Sequence, residues 1–201
     1  MAMNRFPITN VEGDLVAQYR DPDEKLYASL ELNQVAFPKT GMVVSQTPLG
    51  AEFTRANPCE NGMWVVADKA AGAINAPAAA TDSPIGIVYT TEKEYDIMHY
   101  GLQRFGRKIA GDYPRVGILG LGDTVTTNCL QYDTSDFADD DALDTALKDL
   151  ATTPLYVAIA AGSPVPQIVD EIPDAGIYGK IVKYDTLPNG GKGVKYQIMR
   201  V

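Results

Sequence analysis

The sequence contains little of the material from which catalytic sites are built. Its 201 residues include one histidine, His99, and two cysteines, Cys59 and Cys129. A zinc site made of several histidines is therefore excluded, and neither HExxH nor CxxC spacing occurs. A nucleophilic pair of His99 with either cysteine stays open, although neither cysteine lies in a recognisable nucleophile motif. We expect two buried free thiols in a reducing cytoplasm, the alternative being one disulfide.

Basic residues and long apolar runs are also scarce. The chain has 17 Lys and Arg against 26 Asp and Glu, which gives a net charge of −9 and a pI near 4.5. A field of this sign repels phosphate backbones and anionic lipid, so we expect neither nucleic acid nor membranes as partners. No apolar run approaches the roughly 18 residues of a membrane span, and the first residues lack the apolar core of a signal peptide. Synthesis in a cytoplasm is expected.

Two stretches have the composition of ligand loops without the required spacing. The glycines of residues 117–122 follow GxxGxG, whereas the dinucleotide fingerprint is GxGxxG, and a β-type segment follows where a helix is needed. The acidic run from Asp133 to Asp144 has Ala138 at the glycine position of an EF-hand loop and lacks its closing glutamate. We expect structural glycines, a solvated helix start, and neither cofactor nor metal.

The sequence is rich in strand patterns, which are centred on residues 113–132. There, apolar residues are separated by three glycines ahead of a Thr/Val run, a pattern typical of strand, tight turn and strand. Five other segments of the same character are predicted to be its sheet partners: residues 64–67, 85–91, 154–161, 176–184 and 193–201. The last two alternate apolar with polar residues on either side of a Pro-Asn-Gly-Gly turn and predict a hairpin with one wet face.

Shorter cues predict the remaining strands and loops. Asn61-Gly62 ahead of residues 63–66 predicts a hairpin. Residues 25–35 read as a strand by period 2, or alternatively as a short helix. A surface loop is predicted at 69–83, because glycine and proline break any helix there, and an irregular extended segment at 162–174, which contains three prolines.

One helix is predicted, at about residues 139–150. Three aspartates precede an apolar stripe, and aspartates at a helix start cap free N–H groups and suit the positive end of the helix dipole. The predicted fold is therefore mainly β, a β-barrel or sandwich-like domain with one short acidic helix. Residues 1–24 are predicted to be an extended N-terminal arm, and residues 25–201 a single domain that the 69–83 loop could divide into two subdomains.

Aromatic residues supply the candidate functional positions. Trp64, beside a turn, is expected in the core, the alternative being a ligand platform. The segment 95–108 combines aromatic with basic side chains, the residue types that anchor protein interfaces. Ordinary loop packing is the other reading of these side chains: Tyr95, Tyr100, Arg104, Phe105, Arg107 and Lys108.

Several segments, taken in order, resemble virion structural proteins of tailed bacteriophages, most of all the head-decoration proteins. They are NGMWVVAD (61–68), DSPIGIVYTTEKEY (82–95), YPRVGILGLGDTVTTNCLQYD (113–133) and VKYDTLPNGGKGVKYQIMRV (182–201). The resemblance covers residues 57–201. The chain is longer than the small lambda-type decoration proteins and has the acidic helix in addition.

The resemblance implies a structural virion protein without catalysis, located on the capsid surface. It implies binding across junctions between copies of the major capsid protein and contacts with neighbouring copies of itself, as a homo-oligomer on the shell. Residues 1–24 and 95–108 are expected to touch the shell or a neighbour. Three other functions remain open: a tail or baseplate protein, a carbohydrate- or receptor-binding β module, and an enzyme that uses His99.

Overall fold

A computed structural model describes residues 3–6, 30–67, 69–90, 107–187 and 191–201. These residues are mainly β, as the sequence predicts. The helices are α1 (Phe37–Thr40) and α2 (Asp140–Lys148), with a 3₁₀ turn at Lys69–Ala71. The strands are β1 (Met3–Arg5), β2 (Leu30–Gln34), β3 (Val43–Val44), β4 (Cys59–Glu60), β5 (Trp64–Val66), β6 (Ile85–Val88), β7 (Arg107–Lys108), β8 (Val116–Ile118), β9 (Thr124–Thr127), β10 (Gln131–Asp133), β11 (Tyr156–Ala158), β12 (Gln167–Val169), β13 (Tyr178–Thr186) and β14 (Lys192–Arg200).

Most strands belong to two sheets. The larger sheet has eight strands in the order β1-β10-β12-β11-β13-β14-β9-β2, and the smaller has four in the order β3-β8-β6-β5. Strands β4 and β7 form a separate pair. The described strands do not close into a barrel, so the sandwich-like alternative of the prediction is the one confirmed.

The core lies between the two sheets and continues beneath α2. Buried side chains from the smaller sheet, such as Trp64 and Ile87, pack in one cluster with Val125, Tyr196 and Ile198 of the larger sheet. Because side chains alternate along a strand, the neighbour Val65 points the other way, into a second cluster. The smaller sheet is therefore buried on both faces, which explains its continuous apolar runs.

Helix α2 forms where the sequence predicts it. The Asp139 carboxylate accepts a hydrogen bond of 2.8 Å from the backbone N–H of Ala142, which caps the first turn. Leu143 and Leu147, one turn apart, are buried in the core. The predicted acidic helix and its apolar stripe are confirmed.

The C-terminal hairpin is also confirmed. β13 and β14 pair antiparallel from Tyr178↔Arg200 to Thr186↔Lys192, with register shifts next to Gly179 and Lys183. Within it, Ile181 and Tyr196 are buried whereas Lys180 and Lys183 are exposed. One face of the hairpin therefore belongs to the core and the other meets solvent.

Two predicted turns exist, but the strands on their two sides do not pair. At Asn61-Gly62 the backbone N–H of Met63 donates to the carbonyl of Glu60 over 3.3 Å. β4 nevertheless pairs with β7, and β5 pairs with β6. The central glycine-rich stretch likewise supplies β8 to the smaller sheet and β9 to the larger one. The prediction of a hairpin at Asn61-Gly62 is therefore wrong, because each strand finds its neighbour elsewhere in the chain.

The proline-rich segment 162–174, which the sequence predicts to be irregular and extended, contains the strand β12. Within it, β12 pairs parallel to β10 on one side and antiparallel to β11 on the other. Pro164 and Pro166 lie just before the strand, and their missing N–H groups cost no ladder hydrogen bond.

Residues 69–83 follow the prediction of a surface loop more closely, with the 3₁₀ turn and isolated bridges at Ile74 and Asn75.

The described start of the N-terminal arm is part of the domain. β1 is extended, as predicted, but it pairs with β10 of its own chain. Phe6 follows it into the core, and its backbone N–H donates to the carbonyl of Leu130 over 2.8 Å. Most of the predicted arm lies outside the described residues. The part that is described makes its contacts within its own chain and needs no shell or neighbour to form them.

Candidate interaction surface

A tight turn between β8 and β9 holds an apolar side chain outward. The buried carboxylate of Asp123 accepts hydrogen bonds from the backbone N–H of Gly120 (2.9 Å) and of Ala36 (2.8 Å). Gly122 has a φ of +87°, a conformation that favours glycine. Leu121, between the two glycines, is 71% exposed. The turn is fixed by a buried acid, so Leu121 is presented in a defined position.

Other exposed apolar side chains are brought to the same part of the molecule by backbone hydrogen bonds. The N–H of Ile118 donates to the carbonyl of Met42, and that of Gly122 donates to Ile198, both over 2.9 Å. We name this surface the apolar rim, and it consists of four residues that are between 44% and 71% exposed: Met42, Leu121, Met199 and Val201.

A cleft of about 500 Å³ lies beside the rim. Met42 and Val201 form part of its wall, and the partly buried Ile118 and the buried Leu119 and Ile177 supply further apolar surface. The opposite wall is polar and includes Thr81, Asp82 and Ser83. An exposed apolar side chain next to a recess with an apolar wall is an arrangement found at protein–protein contacts, where each partner offers both an anchor and a pocket.

A larger cleft, of about 930 Å³, lies on the side of the molecule where β1 joins the domain. Its wall includes Phe6, Phe53 and Met63. The charged side chains that line it make salt bridges or hydrogen bonds within the chain. Glu60 pairs with the Arg5 guanidinium at 3.4 Å, and Glu52 accepts a hydrogen bond from the backbone N–H of Ala76. The carboxylates therefore stabilise the cleft wall through contacts within the chain.

The predicted interface segment is largely outside the described residues. This holds for four of the six predicted positions: Tyr95, Tyr100, Arg104 and Phe105. Arg107 and Lys108 form β7, where Arg107 is opposite Glu60 and Lys108 is opposite Cys59. Their role in partner binding stays a prediction, while their backbone has a structural place beside β4.

Trp64 and the two cysteines, which the sequence offers as candidate ligand or catalytic residues, lie in the interior. Trp64 is buried in the core, as predicted. Cys59 and Cys129 are buried free thiols, also as predicted. Burial raises the pKa of Cys129 to about 12 and raises that of Cys59 as well, so both are protonated near neutral pH. His99 lies outside the described residues, so its proposed pairing with a cysteine stays untested.

The glycine-rich stretch serves packing. A Cβ on Gly117 would lie 2.5 Å from the ring of Phe37, so a side chain is excluded there by the core. Asp140 and Asp144 of the acidic run accept hydrogen bonds from Tyr132 and Tyr184 of the larger sheet.

In the described part of the chain, no group of three or more His, Cys, Asp and Glu residues is placed to hold a metal ion. Nor does any helix there have the length and apolar character needed to cross a bilayer.

The apolar rim was not found from the sequence. In the sequence, Leu121 continues the apolar pattern of Val116, Ile118 and Leu119 and therefore reads as a strand residue. The available signal was its place between two glycines directly before Asp123, which indicates the tip of a turn, where an apolar side chain is unusual. Met199 reads as a strand residue in the sequence and is exposed beside the register shift in the hairpin.

Comparison with protein-family models, with curated proteins and with solved structures found no match to this chain. The resemblance to head-decoration proteins therefore stays a prediction.

Proposed function

We propose that this protein is a structural component of a virion that binds the outside of a phage capsid and stabilises it without catalysing a reaction. The observation that carries the proposal is the apolar rim. Leu121 is held outward on a turn whose geometry is fixed by the buried Asp123, and a cleft with apolar residues along one wall lies beside the rim. A large side chain exposed on a rigid support supplies binding energy with little loss of conformational entropy.

The strength of such a contact follows from the area that it removes from water. Full burial of a leucine or methionine side chain contributes about 1.5–3 kcal/mol. The rim therefore supports a modest affinity for each copy, because association itself costs free energy. On a symmetric shell many copies act together, and a protein that binds only the assembled shell stabilises it by mass action.

The resemblance of residues 57–201 to decoration proteins supports the capsid exterior as the location. The carbohydrate-binding alternative would use Trp64 as its ligand platform, and the burial of Trp64 argues against that use. A tail or baseplate protein would use the same rim, so it stays the nearest alternative to a capsid protein.

The test is sedimentation of the purified protein with expanded capsid shells of the phage. At low protein concentration we expect the wild-type protein to sediment slowly alone and to sediment with the shells after mixing. Leu121→Ser should lower the fraction bound by about tenfold, since it removes one buried apolar anchor. Ile109→Ser is the matched control, because Ile109 is an exposed apolar residue outside the rim, and it should bind like the wild type.

Failure of the wild-type protein to join the shells would reject the capsid function, and joining isolated tails instead would favour the alternative. Equal binding by Leu121→Ser and the wild type would show that the rim is not the contact. Circular dichroism of both variants checks that the fold is kept.

A further inference from the structure

The solvent face of the larger sheet carries a group of lysines. In the antiparallel register Lys180 is opposite Gln197, and Lys183 is opposite Lys195. The pair between them, Ile181 and Tyr196, is buried. Because side chains alternate across a sheet, the lysine positions lie on the side away from the core. We name Lys180, Lys183 and Lys195 the lysine face.

Asp185, which interacts with Lys183 and Lys195, neutralises part of the charge of this face. Lys183 forms a salt bridge of 3.0 Å with Asp185. Lys180 and Lys195 have no salt bridge with any residue that the structure describes. Nearby, Arg200 is occupied in another way, since its guanidinium donates to the carbonyls of Gly176 and Pro173 and lies over the Tyr178 ring. The face is therefore positive and its border is rigid.

This positive charge is unusual in a chain of net charge −9. Residues 176–201 carry five Lys and Arg against one Asp, or +4, whereas residues 133–149 carry seven Asp against one Lys, or −6. The two segments are therefore strongly opposite in sign.

The acidic segment lies on the other side of the same sheet. Helix α2 packs its Leu143 and Leu147 into the core, and Tyr184 of β13 donates a hydrogen bond of 2.8 Å to Asp144. Asp141 on the helix and Asp149 directly after its last residue are exposed, and neither carboxylate has a hydrogen-bond partner among the described residues. The sheet separates these carboxylates from the lysine face, so the two cannot pair within one copy.

We propose that the lysine face of one copy docks on the acidic surface of helix α2 in a second copy of this chain. Charge complementarity selects this occupant, because the carboxylate of Asp141 on α2 has no salt bridge or hydrogen bond to a described residue and neither does the ammonium group of Lys180 or Lys195 on the lysine face. The contact joins two different surfaces, so it is heterologous and each copy keeps one surface of each kind free for the next neighbour. Copies can therefore form a ring or a continuous array.

The inference extends the proposed function by naming the surfaces through which neighbouring copies meet, and its test needs no shell. Sedimentation velocity of the purified chain at high concentration should show association at low salt that disappears at high salt, because such charges are screened over about 10 Å at 0.1 M. Lys180→Glu with Lys195→Glu should weaken self-association by about tenfold or more, through repulsion between like charges. Asp141→Lys with Asp149→Lys should do the same.

Mixing the two double variants provides the decisive measurement. In the first variant the charge of residues 176–201 falls from +4 to 0, and in the second the charge of residues 133–149 rises from −6 to −2, so each variant loses most of its attraction for itself. In the mixture the new glutamates of one variant face the new lysines of the other, and an unchanged lysine face also meets an unchanged helix α2. We expect the mixture to associate although neither variant does so alone. Lys39→Glu with Arg55→Glu is the matched control, since it changes the charge by the same four units at two exposed positions outside the lysine face and helix α2, and it should associate like the wild type.

A wild-type chain that stays monomeric at low salt would overturn the inference, as would a mixture that does not associate. If the proposed capsid function is wrong but the further inference is right, the chain will associate with itself and will not join capsid shells. If the further inference fails alone, the protein joins shells and the lysine variants bind like the wild type.

Discussion

The indole Nε1 of Trp64 donates a hydrogen bond of 3.0 Å to the hydroxyl of Tyr196. Trp64 belongs to the smaller sheet and Tyr196 to the larger one, and both side chains are buried. Their rings meet edge to face with centroids 5.9 Å apart. The bond therefore fixes one sheet against the other in the middle of the core.

Replacing Tyr196 by phenylalanine tests this link. The ring remains, but the indole N–H loses its acceptor in a buried place, and we expect a loss of about 1–3 kcal/mol in the free energy of unfolding. Urea unfolding followed by tryptophan fluorescence measures it. Tyr178→Phe is the control, because the Tyr178 hydroxyl has no hydrogen bond to any described residue, and it should change stability by less than about 0.5 kcal/mol. Equal midpoints for both variants would contradict the prediction.

The stability of the folded protein depends on pH through the Asp144 carboxylate. Hydrogen bonds from Lys148 and Tyr184 hold its pKa below the ordinary value of 3.8. A lowered pKa in the folded state means that the stabilisation is complete above pH 3.8 and is lost as the pH falls through the folded pKa. We expect Asp144→Asn to destabilise the protein at pH 7 by less than about 1 kcal/mol, because the group is partly exposed to solvent.

The difference between Asp144→Asn and the wild type should narrow below pH 3.8, as thermal unfolding at a series of pH values would show. Asp141→Asn provides the control on the same helix, since that carboxylate has no hydrogen-bond partner among the described residues. A gap between Asp144→Asn and the wild type that is constant with pH would exclude the proposed cause.

The two thiols should be unreactive in the folded protein. Cys59 and Cys129 are buried, and desolvation raises the pKa of each, so almost no thiolate is present at pH 8. We expect Ellman's reagent to label neither cysteine in the native protein and both in guanidinium chloride. Rapid labelling of the native protein in stoichiometric amount would show that one of the thiols is accessible.

Gly117 should tolerate no side chain. A Cβ there would lie 2.5 Å from the Phe37 ring, which is itself packed against Tyr89 with centroids 4.9 Å apart. We expect Gly117→Ala to cost about 1–3 kcal/mol through overpacking. Gly120→Ala is the matched control in the same stretch, because its Cβ would meet nothing nearer than the Asp123 carboxylate at 3.6 Å. Chemical denaturation of both variants decides the matter, and similar stabilities would refute the packing argument.

The sequence determined by itself the features that depend on residues close together along the chain. Helix α2 follows from aspartates at its start and leucines one turn apart, and the β13–β14 hairpin from alternation on either side of a turn. The burial of Trp64 and of both cysteines follows from the ordinary preference of these side chains for the interior. Capping, alternation and turn preferences act over a few residues, so they can be read without the fold.

Tertiary structure alone decided which strands pair and what remains exposed. The turn at Asn61-Gly62 is local, but β4 and β5 enter different ladders because their pairing depends on the packing of distant segments. The same holds for the parallel pairing of β10 with β12 and for the return of Phe6 to the core. Leu121 and the lysines of β13 and β14 become surface features only when the two sheets and α2 have enclosed the rest, because exposure is a property of the whole packed molecule.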